Sequence, residues 1–207
     1  MKKIMFNDRY GLTQAVLEGR KTQTRRIAYT PNGFIAFNDE DFQLKKLDNG
    51  RNLLTLRGNR FKAAQYKLGE TISIAQKYDD LIKDDEFYRL CGIHGMPLEC
   101  IKYEKGYANK MFVRADHMPH HIRITNIRFE RLQDISEKDC LAEGIWEAHD
   151  VGLEGVTYWY TGLANSPYRT AREAFAALID KIKGKGTWQS NPYVFVYNFY
   201  TVSLPNT

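Results

Sequence analysis

Cysteine is scarce in this chain of 207 residues, with Cys91, Cys100 and Cys140 alone. So small and odd a number excludes a disulfide framework, and each thiol reads as a buried structural residue in a reducing cytoplasm. Long apolar runs are missing as well. No stretch approaches the about 18 apolar residues of a membrane-spanning helix, so no membrane partner is expected. Met1 to Arg9 carries charges and no apolar segment, so no secretory leader is expected either. There are no internal repeats and no low-complexity tract. With 43% hydrophobic and 13% aromatic residues, the composition also excludes a disordered or collagen-like chain. A single domain spanning 1–207 would bury about 70% of its unfolded surface, enough for a core without disulfides or metal.

Excess charge of one sign is modest. Thirty Lys and Arg against 25 Asp and Glu give a net charge of +5. That permits a polyanionic partner without requiring one. The basic residues cluster locally, as Arg20-Lys21 with Arg25-Arg26, and as Arg123, Arg128 and Arg131.

Periodicity marks the elements. Asp8 has N-cap chemistry, Leu12, Ala15 and Val16 follow at helical spacing, and Gly19 is a natural C-cap, which predicts a helix over 9–18. Residues 20–26 are too polar for a central core strand. Hairpin signals fill 31–66: Pro31-Asn32-Gly33 and Asp48-Asn49-Gly50 are turn sequences, flanked by Phe34, Ile35 and Phe37 and by Leu53, Leu54 and Leu56. Short strands are predicted over 71–75 and, with apolar residues on both faces, over 122–132. A helix follows from about 134, with Ser136 and Asp139 as a weak capping box and Gly144 as its end. Residues 77–110 read as an insertion with marginal structure of its own, and 145–168 as an aromatic, Gly-rich loop. The clearest helix covers 171–182, with Ala174, Phe175, Leu178, Ile179 and Ile182 on one face. A β-branched and aromatic strand closes the chain over 193–202. The class expected is α+β, built around a small mixed β-barrel.

Four groups could carry chemistry. Lys21 and Thr24 lie three residues apart just beyond a helix cap. Nearby arginines or burial would lower the lysine pKa and let it activate the threonine hydroxyl, although an exposed basic strand is the plainer reading. Residues 21 and 24 of an ideal strand face opposite sides, so such a pair requires irregular backbone after Gly19. The second group is His117, His120 and His121, with Asp116 before them. Cys91-x-x-His94 and Cys100 do not complete a zinc pattern, so no metal or other cofactor is expected. Histidines lining a groove or packing at a strand entry are the alternative. Glu143, near the end of its helix, is the third. The fourth is Trp188-Gln189-Ser190-Asn191-Pro192-Tyr193, in which Trp188 and Tyr193 form either a stacking platform for bases or part of the core.

Taken together, Gly19-Arg20-Lys21-Thr22-Gln23-Thr24-Arg25 resembles the glycine–x–lysine signature of the ASCH domain, a relative of the PUA domain. Gly19, Lys21 and Arg25 match the family's Gly, Lys and Arg, while Thr24 stands at the Glu place. The resemblance extends through Leu68-Gly69-Glu70-Thr71-Ile72-Ser73-Ile74, His117-Met118-Pro119, the segment from Leu132 to Ile145, and the ending Trp188-x-x-Asn191-Pro192-Tyr193-Val194-Phe195-Val196. It is similar to the ASCH proteins of phage and prophage genomes. It implies a PUA-like β-barrel with flanking helices and insertions at about 77–110 and 145–170. The family includes RNA-associated domains, a ribonuclease and small amidohydrolases that deacetylate N4-acetylcytidine. Similarity to the amidohydrolases implies a triad of Lys21, Thr24 and Glu143. It leaves three functions open: a hydrolase of an acylated or modified nucleoside, a non-catalytic RNA-binding module, and a ribonuclease using Lys21 and His120. Arg20, Arg25 and Arg26 would meet phosphates or the oxyanion, and His120, His121, Trp188, Asn191 and Tyr193 would complete the substrate or RNA surface.

Overall fold

The computed structural model describes residues 1–29, 39–48, 50–149, 156–160 and 167–203. The chain is α+β. Its elements begin with β1 (Lys3–Ile4), α1 (Leu12–Leu17), β2 (Gln23–Tyr29), β3 (Phe42–Lys46), β4 (Asn52–Leu56), β5 (Asn59–Ala63) and β6 (Thr71–Ile74). Two helices follow, α2 (Tyr78–Leu81) and α3 (Asp85–Ile93), and then β7 (His121–Arg131) and α4 (Glu137–Ala142). The last are β8 (Ile145–His149), β9 (Val156–Tyr160), α5 (Ala171–Lys183) and β10 (Tyr193–Val202).

Among the described residues the strands form three separate sheets. The main sheet has the order β1-β6-β7-β10-β2, and β3-β4-β5 and β8-β9 form the others. β7 and β10, both rich in β-branched and aromatic residues, pair antiparallel along nearly their whole length at the sheet's centre. One core joins Ile72, Ile74, Ile122, Ile124, Val194, Val196 and Tyr197 to the apolar stripe of α5, where Ala174, Phe175, Leu178 and Ile179 are buried as the periodicity predicts. Thr170 caps α5 by accepting the Glu173 amide at 3.1 Å.

Several expectations need correction. Asp8 does not cap α1; it accepts a hydrogen bond from the Thr13 hydroxyl at 2.5 Å and pairs with Lys110 at 2.6 Å. The polar run after Gly19 enters β2, an edge strand of the main sheet as its polarity leads one to expect, but Gln23, Thr24 and Arg25 are buried, so it is not an exposed basic strand. Pro31-Asn32-Gly33, Phe34, Ile35, Phe37 and Asn49 lie outside the described residues. Beyond them, β4 and β5 are joined through Arg57 (φ +48°) and Gly58 (φ +82°), two left-handed residues in the manner of a type I′ turn. The loop expected over 145–168 contains the β8–β9 hairpin.

The insertion expected to be marginal has a core of its own. Ala75, Tyr78, Leu81, Phe87, Cys91, Met96, Ile101, Val113 and Met118 are buried together, with Tyr78 stacked on Phe87 at 5.4 Å. A Cβ on Gly106 would fall 2.5 Å from the Tyr78 ring, so only glycine admits this approach. The insertion also grips the start of the chain. Lys110 donates to the Phe6 carbonyl, and Lys3 donates to the Met111 and Val113 carbonyls at 2.7 Å each.

Candidate active site

The backbone after α1 determines where Lys21 goes. Gly19 (φ +74°) turns the chain, and residues 20–22 run irregularly before β2 begins. This short segment is fixed to three elements. The Lys21 amide donates to the Ala15 carbonyl of α1, the Thr22 amide to the Ala142 carbonyl of α4, and the Phe199 amide of β10 to the Thr22 carbonyl, each at 2.9 Å. The irregular stretch removes the alternation of an ideal strand. Lys21 and Thr24 consequently line one cleft.

Lys21 is 2% exposed. Its Nζ donates to the Glu143 carbonyl at 2.7 Å and to Glu143 Oε2 at 2.5 Å. The ammonium thus caps the last turn of α4 and pairs with the carboxylate there. Gly144, at φ +99°, ends α4 in a backbone conformation that L side chains rarely adopt, and it packs beside Lys21 and Leu12. Burial lowers the Lys21 pKa, and Arg26 and Arg25 push it further down. Glu143 pulls the other way without offsetting the desolvation.

Arg25 extends the network. Its Nη1 donates to Glu143 Oε1 at 3.2 Å and to Gln23, and its Nη2 to Glu130 at 2.7 Å and Asp139 at 3.1 Å. Gln23 Nε2 also donates to Asp139, at 3.1 Å. Arg128 closes the circuit on Asp139 at 2.7 Å and Glu130 at 3.3 Å. Three cations, Lys21, Arg25 and Arg128, therefore balance three carboxylates, Glu130, Asp139 and Glu143. Register explains the layout: Gln23 and Arg25 share a sheet face with Arg128 and Glu130, through their common β10 partners. Thr24 and Arg26 share the other face. Thr24 is 5% exposed, and its hydroxyl has no hydrogen-bond partner among the described residues.

The cleft encloses about 230 Å³. Lys21, Thr24, Arg25 and Glu143 meet there; Met5, Phe6 and Asn7 form one wall, and Phe175, Leu178 and Ile179 of α5 form another. Lys21 Nζ lies 5.9 Å from the Phe6 ring centre and the Arg25 guanidinium 5.9 Å from that of Phe175. Arg26 and Lys183 complete the lining. The basic end of α5, Gln23, and the Glu130–Asp139–Arg128 circuit were not anticipated from sequence. Only a polar residue at alternate positions of a strand, as at Gln23 and Arg25, signals such a buried network.

The remaining anticipated residues lie elsewhere. Arg20 pairs with Glu18 at 2.6 Å and covers the Trp146 ring at 4.8 Å, outside the cleft lining. Tyr193 is 2% exposed and stacks on Phe129 within the core, so it offers no face to a base. Trp188 packs edge-on against Phe175 beneath Arg172. Asn191 (φ +42°) uses its side-chain oxygen to accept the Gln133 amide at 2.8 Å. His120 and His121 line a different pocket, of about 210 Å³, with Pro119, Thr201 and Ser203. His120 bonds Gln76 at 2.8 Å. His117, which is fully buried, stacks on His94 at 5.8 Å. Among the described residues no three His, Cys, Asp or Glu side chains are grouped as metal ligands would be.

No family model and no curated protein matches the chain. Among solved structures, the crystal structure of protein EF3133 from Enterococcus faecalis V583, of the family-model DUF984, is similar at 14% identity and a TM-score of 0.39. That alignment covers 100% of this chain and 84% of the other.

Proposed function

We propose that this chain is an ASCH-type protein with a PUA-like barrel arrangement, whose cleft hydrolyses the amide of an acylated or otherwise modified nucleoside. One observation carries the reading: a buried lysine with a lowered pKa, held by Glu143, lines the same small cleft as an unpartnered threonine hydroxyl. Perturbed ionisation beside a nucleophile is the arrangement acyl transfer needs.

In this reaction Thr24 Oγ attacks the amide carbonyl carbon as its proton passes to the deprotonated form of Lys21, which the lowered pKa makes easier to reach from the resting ammonium. Glu143 steadies the lysine and favours the ammonium that forms. As the tetrahedral intermediate collapses, the C–N bond breaks and Lys21 returns the proton to the departing amine nitrogen. Water then attacks the Thr24 ester, giving its proton to Lys21; the C–Oγ bond breaks, Lys21 returns the proton to Thr24 Oγ, and the carboxylic acid leaves. Arg25 Nε is buried without a partner among the described residues and is the one N–H of that guanidinium not committed to a neighbour.

The readings as an RNA-binding module or a ribonuclease have less support. The other Arg25 donors are occupied by neighbours, and His120 and His121 belong to a different pocket. The deciding experiment follows cytidine release from N4-acetylcytidine by ultraviolet absorbance, for wild type beside Lys21→Ala. Release by the wild type that vanishes in the variant supports the hydrolase. No release from either protein overturns it.

A further inference from the structure

The floor and the mouth of the cleft differ in charge. At the floor, the cations Lys21, Arg25 and Arg128 are matched by Glu130, Asp139 and Glu143. At the mouth, Arg26 and Lys183 are not matched. Among the described residues neither forms an ion pair, and the Lys183 ammonium donates no hydrogen bond. Arg26 gives Nη2 to the Met5 carbonyl at 2.9 Å, while its Nε is buried without a partner. Burial and the neighbouring Arg26 charge both hold the Lys183 pKa below its usual value. Two like charges converging on one opening repel each other until an anion lies between them.

Size and distance from the chemistry say which anion. A volume of about 230 Å³ lies below the about 300–1,000 Å³ of pockets for drug-sized ligands. On the nucleoside reading, the base and its acyl group would sit against Thr24 with the sugar directed outward. A phosphate on that sugar then falls at the mouth, where a guanidinium and an ammonium are suited to its oxygens. We infer that the cleft takes a nucleoside monophosphate rather than a free nucleoside, with Arg26 and Lys183 binding its phosphate. This rests on the nucleoside reading above for the base end alone.

The test compares cytidine with cytidine 5′-monophosphate by titration calorimetry at low salt, in wild type, Lys183→Gln, Arg26→Gln and Lys181→Gln. Lys181 is exposed on the same helix and lies outside the cleft lining. The monophosphate should bind about tenfold or more tightly than cytidine, and that ratio should fall toward one in Lys183→Gln and Arg26→Gln but not in Lys181→Gln. Equal affinities in the wild type, no binding of either probe, or the same loss in Lys181→Gln overturns the phosphate site. A single-stranded oligonucleotide that binds more tightly than the monophosphate overturns the mononucleotide as ligand. Cytidine-product release from acetylated nucleoside and acetylated monophosphate is then measured separately. A preserved affinity ratio without release from either compound rejects the hydrolase and keeps the phosphate site. Release at equal kcat/KM from both, with equal affinities, keeps the hydrolase and rejects the phosphate site.

Discussion

Replacing Lys21 by methionine keeps most of the side-chain volume and removes the charge. Glu143 is 5% exposed, so its carboxylate stays behind in a poorly solvated place. Its Oε2 loses the 2.5 Å partner and its carbonyl loses the 2.7 Å donor, while Arg25 Nη1 remains on Oε1 at 3.2 Å. Removing one member of a buried pair costs about 3–5 kcal/mol, and the surviving Arg25 contact places Lys21→Met near the lower end, at about 3 kcal/mol. Urea unfolding at pH 7 followed by circular dichroism reads this directly. Glu143→Gln should behave differently with pH. It strips Lys21 of the influences that raise its pKa, so the folded-state value falls further below that of the unfolded chain. Between those two values the unfolded chain binds the additional proton, so stability rises with pH, by up to about 1.4 kcal/mol per pH unit. As pH rises toward the ordinary lysine value, the variant should therefore gain stability from a lower starting pH than the wild type, whereas Lys21→Met should lack this contribution. The double variant should lose less than the sum of the singles. A Lys21→Met loss under about 1 kcal/mol, with strictly additive singles, would refute the buried pair as described.

Thr24→Ala should cost activity by about a thousandfold or more with little change in stability, since its hydroxyl has no hydrogen-bond partner among the described residues, and Thr24→Ser should keep a substantial fraction; initial rates and melting curves check this. Gly144→Ala forces a Cβ onto a φ of +99° and to 3.4 Å from Leu12, and should cost about 1–3 kcal/mol in urea unfolding. It should also cut the rate, because the strained backbone adjoins Glu143, which holds Lys21. Burial depresses His117 to about 4, from 6.5. The folded state therefore keeps this ring neutral while the unfolded chain protonates it, so stability should fall as pH drops from 6.5 toward 4. His117→Gln should flatten that slope in a pH series of urea titrations.

Elements whose periodicity agrees with their burial were legible in the sequence. The stripe of α5 and the residues of β10 were read correctly because packing and pattern point the same way. β3 was missed because four of its five residues, Gln43, Leu44, Lys45 and Lys46, are exposed, so the strand shows little alternation. The β8–β9 hairpin was missed because its strands flank a Gly-containing segment that reads as one continuous loop. The insertion looked marginal because its nine-residue core is assembled from short turns across 75–118, a spacing no single period reveals. In the site, Lys21 and Glu143 are 122 residues apart in sequence and meet only through tertiary structure. A family resemblance suggested them; no local pattern could. Lys183 was passed over because a lysine in a helix's last turn is already accounted for by the macrodipole.

The grip of the insertion on the start of the chain turns a remote segment into a mechanical part of the cleft. Met5, Phe6 and Asn7 form a wall of the site, and Lys110 reaches the Phe6 carbonyl and Asp8 from behind that wall. Lys3, one strand earlier, is tied to Met111 and Val113. The width of the opening is therefore set partly by how the segment around Lys110 packs on its own small core. Changes confined to that core can widen or narrow the opening while every residue lining it stays the same. Substrate preference in such a chain can drift through its scaffold, leaving the reacting groups untouched.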